Sequence, residues 1–99
     1  MRILLVEDDP VLQAVMLRSL ADAGHRVDGA GDYATAQHLW HVQSYDAVLL
    51  DLNLPDGDGL DVIREFRSWS VAPIVVLSAR SDEGDKIAAL DAGADDYLS

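Results

Sequence analysis

Three short apolar runs, each ending on an acid or a hydroxyl, constrain this chain more than any other feature. They are Ile3-Leu4-Leu5-Val6 before Glu7-Asp8-Asp9, Ala47-Val48-Leu49-Leu50 before Asp51, and Pro73-Ile74-Val75-Val76-Leu77 before Ser78. Continuous apolarity without polar alternation is the pattern of a strand buried on both faces of a parallel sheet. Parallel strands share one carboxyl edge, and ligands of open α/β sheets bind in the crevice outside it. Glu7, Asp8 and Asp51 are therefore expected to meet at that edge, with the Ser78 hydroxyl beside them. A set of hard oxygen ligands suits a divalent cation, with Mg2+ the expected ion. A carboxylate held at such a cation can also accept a phosphoryl group.

The segments between the runs carry helix signals. Asp9 can cap a first helix with Pro10 in its first turn, and Gly24 ends it. Leu12, Val15, Met16, Ser19 and Leu20 fall on one face of that helix. A short strand is expected near residues 25–29, and Asp32 can cap a second helix with Ala36, Leu39 and Trp40 facing inward. After a strand over 46–50, Pro55-Asp56-Gly57-Asp58-Gly59 reads as a turn cluster. A third helix then covers about 59–69, with Leu60, Ile63 and Phe66 at core spacing. A strand over 73–77, a helix over 83–92 closed by Gly93 and a last strand over 95–98 complete the pattern. Alternating strands and helices predict one α/β domain over residues 1–99, with a doubly wound five-stranded parallel sheet. A further helix after the last strand would complete the covering of one sheet face.

Charge and composition exclude several roles. A formal net charge of −11 argues against this segment gripping nucleic acid, where affinity comes from Lys and Arg meeting phosphate. The absence of cysteine removes disulfides and thiolate metal sites. No apolar run has the length of a membrane span and no signal peptide is visible, so a cytoplasmic location is expected. Asp51 and Asn53 fit the first positions of a calcium loop, but Pro55 and Asp56 break that pattern. His38 and His41 lack a third ligand and read as a solvated pair. The acids of Asp82-Glu83-Gly84-Asp85 favour a helix start. Tyr97 reads either as edge packing or as an aromatic that changes position when Ser78 is engaged.

Taken together, these residues resemble the receiver domain of two-component response regulators. The resemblance is carried by Glu7-Asp8, by Asp51 followed by Leu-Asn-Leu-Pro-Asp-Gly-Asp-Gly, by Ser78-Ala79-Arg80 and by Gly93-Ala94-Asp95-Asp96-Tyr97. The last motif is similar to the OmpR/PhoB class, and the text from Ile63 onward to KdpE-type regulators within it. The resemblance implies a flavodoxin-like or CheY-like sheet of strand order 2-1-3-4-5 and a phosphoacceptor at Asp51. It implies Mg2+ held directly by Asp8 and Asp51, by the Asn53 backbone carbonyl, and by Glu7 largely through water. It makes Ser78 a hydrogen-bond partner of the phosphoryl group and Tyr97 a rotameric switch. Lys86, Asp95 and Asp96 resemble charged members of a homodimer face formed by helix four, strand five and helix five, with Ile87 and Leu90 at its apolar centre. The implied partners are a sensor histidine kinase and, through a C-terminal domain outside this chain, DNA. Receivers carry a lysine just beyond the last strand. The sequence stops at Ser99, where that lysine is due, so a domain incomplete at its C-terminus and lacking the last helix is expected.

Two further functions fit parts of the pattern. A magnesium-dependent phosphohydrolase also uses a strand-end aspartate, but it needs a nearby general acid, and Asn53 is not one. A scaffold with vestigial acids is opposed by the presence of both Asp8 and Asp51. The expected activity is therefore that of a signalling switch, not of an enzyme turning over an external substrate.

Overall fold

The computed structural model describes residues 1–78 and 82–98. Its elements run β1 (Arg2–Val6), α1 (Pro10–Asp22), β2 (Arg26–Ala30), α2 (Tyr33–Val42), β3 (Ala47–Leu50), β4 (Asn53–Leu54), β5 (Gly57–Asp58), α3 (Gly59–Arg67), β6 (Ile74–Leu77), α4 (Glu83–Ala92) and β7 (Asp96–Leu98). The main sheet has five strands in the order β2-β1-β3-β6-β7, all parallel. Counting only these strands, this is the doubly wound 2-1-3-4-5 order expected from the sequence. Strand order reverses direction between β1 and β3, which places the crevice beside their carboxyl ends.

Local chemistry sets the helix limits. Asp9 caps α1 by accepting from the Val11 and Leu12 N–H groups, and Pro10 occupies the first helical position, where its missing N–H costs nothing. Asp32 accepts from Thr35 N–H and Asp82 from Gly84 N–H at the starts of α2 and α4. Gly93 closes α4 at φ +124°, a conformation that disfavours a side chain.

Register explains the core. Val6 lies beside Ala30 on one side and Leu50 on the other, Leu50 beside Val76, and Val76 beside Tyr97. All five side chains are buried and form one row across the sheet. A second row, Leu4–Val48–Ile74, lies two residues back. Because side chains alternate along a strand, both rows face the same way. Ala36 and Trp40 of α2, Val62, Ile63 and Phe66 of α3, and Ala89 of α4 close over them.

The opposite face is covered more thinly. Ile3 and Leu5 are buried there, but Leu49, Val75 and Leu77 are only half-buried and Leu98 is exposed. Helix α1 packs on this side, with Gln13 and Leu17 against Gly29. It buries no residue fully, and Leu12 and Val15 remain 45% and 57% exposed. Five residues aligned on one helical face therefore do not make a sealed core layer, because one helix cannot span the width of five strands.

The turn cluster departs from its expected form. Asn53 pairs with Asp58 and Leu54 with Gly57, so Pro55 and Asp56 sit at the tip of a small antiparallel hairpin. Asp58 then caps α3, accepting from Leu60 N–H. Helix α3 ends at Arg67, two residues short of the expected limit.

Candidate functional site

The carboxyl edge of the sheet positions its polar residues by backbone bonding. Glu7 N–H donates to Ala30 O at 2.9 Å, Asp51 N–H to Val6 O at 2.9 Å, and Ser78 N–H to Leu98 O at 3.1 Å. Each residue thus prolongs its strand by one ladder rung before the chain turns away. Rigid strands, not loops, fix where these three side chains begin.

The side chains of Glu7, Asp8 and Asp51 converge. One carboxylate oxygen from each lies within 4.8 Å of the others. In a six-coordinate Mg2+ shell, opposite oxygens are about 4.2 Å apart at metal–oxygen distances near 2.1 Å. The cluster is therefore close to the span such an ion needs. Glu7 is buried, Asp51 half-buried and Asp8 exposed, so the group opens toward solvent. Glu7, Asp51 and Ser78 also line one cavity of about 350 Å³, whose other walls are Leu12, Met16, Leu77 and Leu98.

The electrostatics match an acid cluster of this kind. Burial pushes the Glu7 carboxyl up from 4.5 to about 7, against the opposing pull of the Asp9 N–H. The negative charge of Asp51, and a hydrogen bond and charge from Asp8, raise it further. The Asp9 N–H donates to Glu7 Oε2 at 3.0 Å, and Gln13 Nε2 donates to the Glu7 carbonyl at 2.9 Å. At Asp51, Oδ1 accepts the Asn53 N–H at 3.2 Å, which ties the start of the hairpin to the acid.

The remaining candidate residues separate into two groups. Tyr97 is buried in the core row beside Val76. Lys86, Ile87, Leu90, Asp95 and Asp96 are all exposed, on α4 and at the start of β7, and none belongs to the carboxylate cluster. Asp95 is held within the chain: Oδ2 accepts from Arg67 at 2.8 Å and from Ile74 N–H at 2.8 Å. Ala79 and Arg80 of the third motif, and Ser99, lie outside the described residues.

Sequence reasoning missed the apolar side of the site. Leu12 and Met16 line it because α1 begins immediately after the Glu7 strand end, so its first turns stand beside the acids. That proximity was available in the spacing. Leu98 was not, because its place depends on β7 pairing with β6.

A doubly wound sheet whose carboxyl edge gathers three carboxylates and a serine defines a flavodoxin-like α/β domain with an acidic edge site. A family model, response regulator receiver domain, matches residues 3–99, and the chain belongs to that family. It is 48% identical over 97 residues to the KDP operon transcriptional regulatory protein KdpE of Escherichia coli K12, across 98% of this chain and 43% of that protein. It is 45% identical over 100 residues to the transcriptional regulatory protein PhoP of the same organism, across 100% of this chain and 45% of PhoP. The chain thus spans less than half the length of these curated relatives. Both relatives agree with the OmpR/PhoB-class resemblance of the sequence. Among solved structures, response regulator TrrA of Thermotoga maritima in complex with Mg(2+)-BeF is 32% identical and superposes with a TM-score of 0.88, across 98% of this chain and 84% of that one.

Proposed function

We propose that this domain is a phosphorelay switch in which Asp51 accepts a phosphoryl group from a phosphohistidine of a sensor kinase. The observation that carries this reading is the convergence of Glu7, Asp8 and Asp51 within 4.8 Å, on the edge that also holds Ser78. Asp8, Asp51, the Asn53 carbonyl and, largely through water, Glu7 would hold Mg2+. Bound there, the ion would neutralise negative charge around the transferring group. Asp51 attacks phosphorus through a carboxylate oxygen, the P–N bond to the kinase imidazole breaks, and an acyl phosphate forms. The Ser78 hydroxyl donates a hydrogen bond to a phosphoryl oxygen.

The switch follows from the site's attachments. Ser78 N–H is bonded to Leu98 O, one residue after Tyr97, so drawing Ser78 toward the phosphoryl group pulls on β7. Tyr97, buried in the core row, is the side chain whose rotamer responds, which biases a two-state equilibrium. The face that responds is that of α4 and β7, where Ile87 and Leu90 expose apolar surface among Lys86, Asp95 and Asp96. In the longer parent protein this face pairs two copies, and the output is transcription through a DNA-binding domain outside this chain. The domain acts in the cytoplasm as a signalling protein, with at most slow self-phosphorylation and self-dephosphorylation. No helix among the described residues is long and apolar enough to cross a membrane.

Incubation of wild type and Asp51→Asn with acetyl phosphate and Mg2+, followed by intact-mass analysis, tests the assignment. Wild type should gain one phosphoryl group, labile to hydroxylamine, and the variant none. Equal labelling of the two would remove Asp51 as the acceptor.

A further inference from the structure

The tip of the β4–β5 hairpin is tied to the start of α2. Asp56 Oδ1 accepts the Tyr33 N–H at 2.7 Å, and Asp56 Oδ2 accepts the Ala34 N–H at 3.1 Å. The bonds span 23 and 22 residues and use both oxygens of one carboxylate. The first N–H groups of a helix have no intrahelical partner, so α2 offers them to an acceptor from elsewhere. The side chain of its own cap, Asp32, takes the next one, Thr35 N–H, at 2.7 Å. A Cβ on Gly57 would lie 2.8 Å from Tyr33 Cδ2, so the hairpin backbone lies against the Tyr33 ring. Tyr33 is held in turn from α3: its hydroxyl donates to Glu65 at 3.4 Å, and Gln37 Nε2 donates to both Glu65 oxygens at 2.9 and 3.1 Å.

The hairpin depends on such a hold. An isolated two-stranded ribbon is marginal in water, and here each strand has two residues, with Asn53, Gly57 and Asp58 all exposed. At its base the Asn53 N–H donates to Asp51 Oδ1, a carboxylate that belongs to the site itself. The Asp56 bonds draw on no carboxylate of that cluster. They also refer the hairpin to the strand end that seats Glu7. Ala30 O accepts the Glu7 N–H, and α2 opens at Asp32, two residues after Ala30.

We propose that Asp56 is a positioning residue of the acidic site. By holding the hairpin tip on α2 it fixes the path of Asn53, whose backbone carbonyl is assigned to Mg2+ above, an assignment on which this inference rests. Asp56 acts through Asn53 and not as a ligand. Releasing it leaves Asp8 and Asp51 on their strand ends and loosens one ligand, so Mg2+ binds more weakly while the sheet stays intact.

Calorimetric titration of Mg2+ into wild type, Asp56→Ala, Asp56→Asn and Asp32→Ala tests this, in about 0.15 M KCl to screen exposed charges. Asp56→Ala should raise the Mg2+ Kd about 10-fold, the low end for removal of an outer group that orients a metal ligand. Asp56→Asn keeps one acceptor oxygen and should fall between Asp56→Ala and wild type. Asp32→Ala removes an acid of the same charge and a cap from the same helix, but no tie to the hairpin. Its Kd should stay within about 2-fold of wild type. In metal-free protein, amide exchange should quicken across residues 53–58 in Asp56→Ala and not in Asp32→Ala. Wild-type Mg2+ affinity in Asp56→Ala, or an equal loss in Asp32→Ala, would overturn the proposal alone when Asp51→Asn binds Mg2+ weakly. Asp51→Asn binding Mg2+ as tightly as wild type would overturn the metal reading itself, and the proposal with it.

Discussion

Replacing Glu7 by Gln should stabilise the metal-free protein at alkaline pH, an unusual outcome for a residue in a functional site. Glu7 is 5% exposed and its carboxyl is pushed up to about 7, chiefly by burial. The folded state therefore holds the Glu7 proton more tightly than the unfolded chain, where 4.5 applies. Protons bound in excess by the folded state make stability fall as pH rises. The contribution is fully present below about 4.5 and is lost as pH passes through about 7. Moving one carboxyl over that interval corresponds to about 3 kcal/mol. Gln is isosteric, can still accept the Asp9 N–H through its oxygen, and can donate its amide protons toward Asp8 and Asp51. Glu7→Gln should thus exceed wild type by up to about 3 kcal/mol at pH 8, roughly 10–20 °C in melting temperature for a domain of this size. The two proteins should converge near pH 4.5. Thermal melts by far-UV circular dichroism at several pH values, with EDTA present, give the difference curve and cancel titrations common to both proteins. Millimolar Mg2+ should narrow the gap at pH 8, since wild type gains more from a cation that favours its ionised carboxylate. A difference that does not change between pH 5 and pH 8, or a variant less stable than wild type at pH 8, would refute the reasoning.

Three structural substitutions test how the site is held. A Cβ on Gly59 would lie 2.5 Å from Leu52 Cα and 3.0 Å from Leu52 O, so Gly59→Ala must move backbone next to Asp51. It should cost about 1–3 kcal/mol in urea denaturation. Arg67 donates to the carbonyls of Ser70, Ala72 and Gly93 and to Asp95, joining the end of α3 to the starts of β6 and β7. Arg67→Ala should cost about 2–4 kcal/mol by the same measurement, and Arg67→Lys should recover only part of it, because an ammonium cannot reproduce the planar fork. Asp9→Ala removes the acceptor for Val11 and Leu12 N–H and should lower stability by about 1 kcal/mol, with faster amide exchange confined to the first turn of α1.

Much of this protein is written locally. Each apolar run states its own burial, and each is followed by the residue its strand end presents, so β1, β3 and β6 and the meeting of Glu7, Asp8, Asp51 and Ser78 at one edge were legible without coordinates. Helix limits were legible for the same reason: Asp9, Asp32 and Asp82 as caps and Gly93 as a terminator act within a few residues of themselves. Tertiary structure decided what depends on partners distant in sequence. The β4–β5 hairpin forms inside a segment whose Pro, Asp and Gly content signals a turn but not its pairing. The incomplete shielding of α1 and of the Leu49–Val75 face depends on how many helices reach that side, which hydrophobic spacing within one helix does not report. The bonds from Arg67 to Gly93 and Asp95 span 26 and 28 residues. The ring contacts of Trp40 with Phe66 and Trp69 join the ends of two helices that only the parallel crossover brings together. Even the upward displacement of Glu7 is tertiary, since a lone glutamate at a strand end would ionise normally. Packing removes its water and sets Asp51 and Asp8 against it.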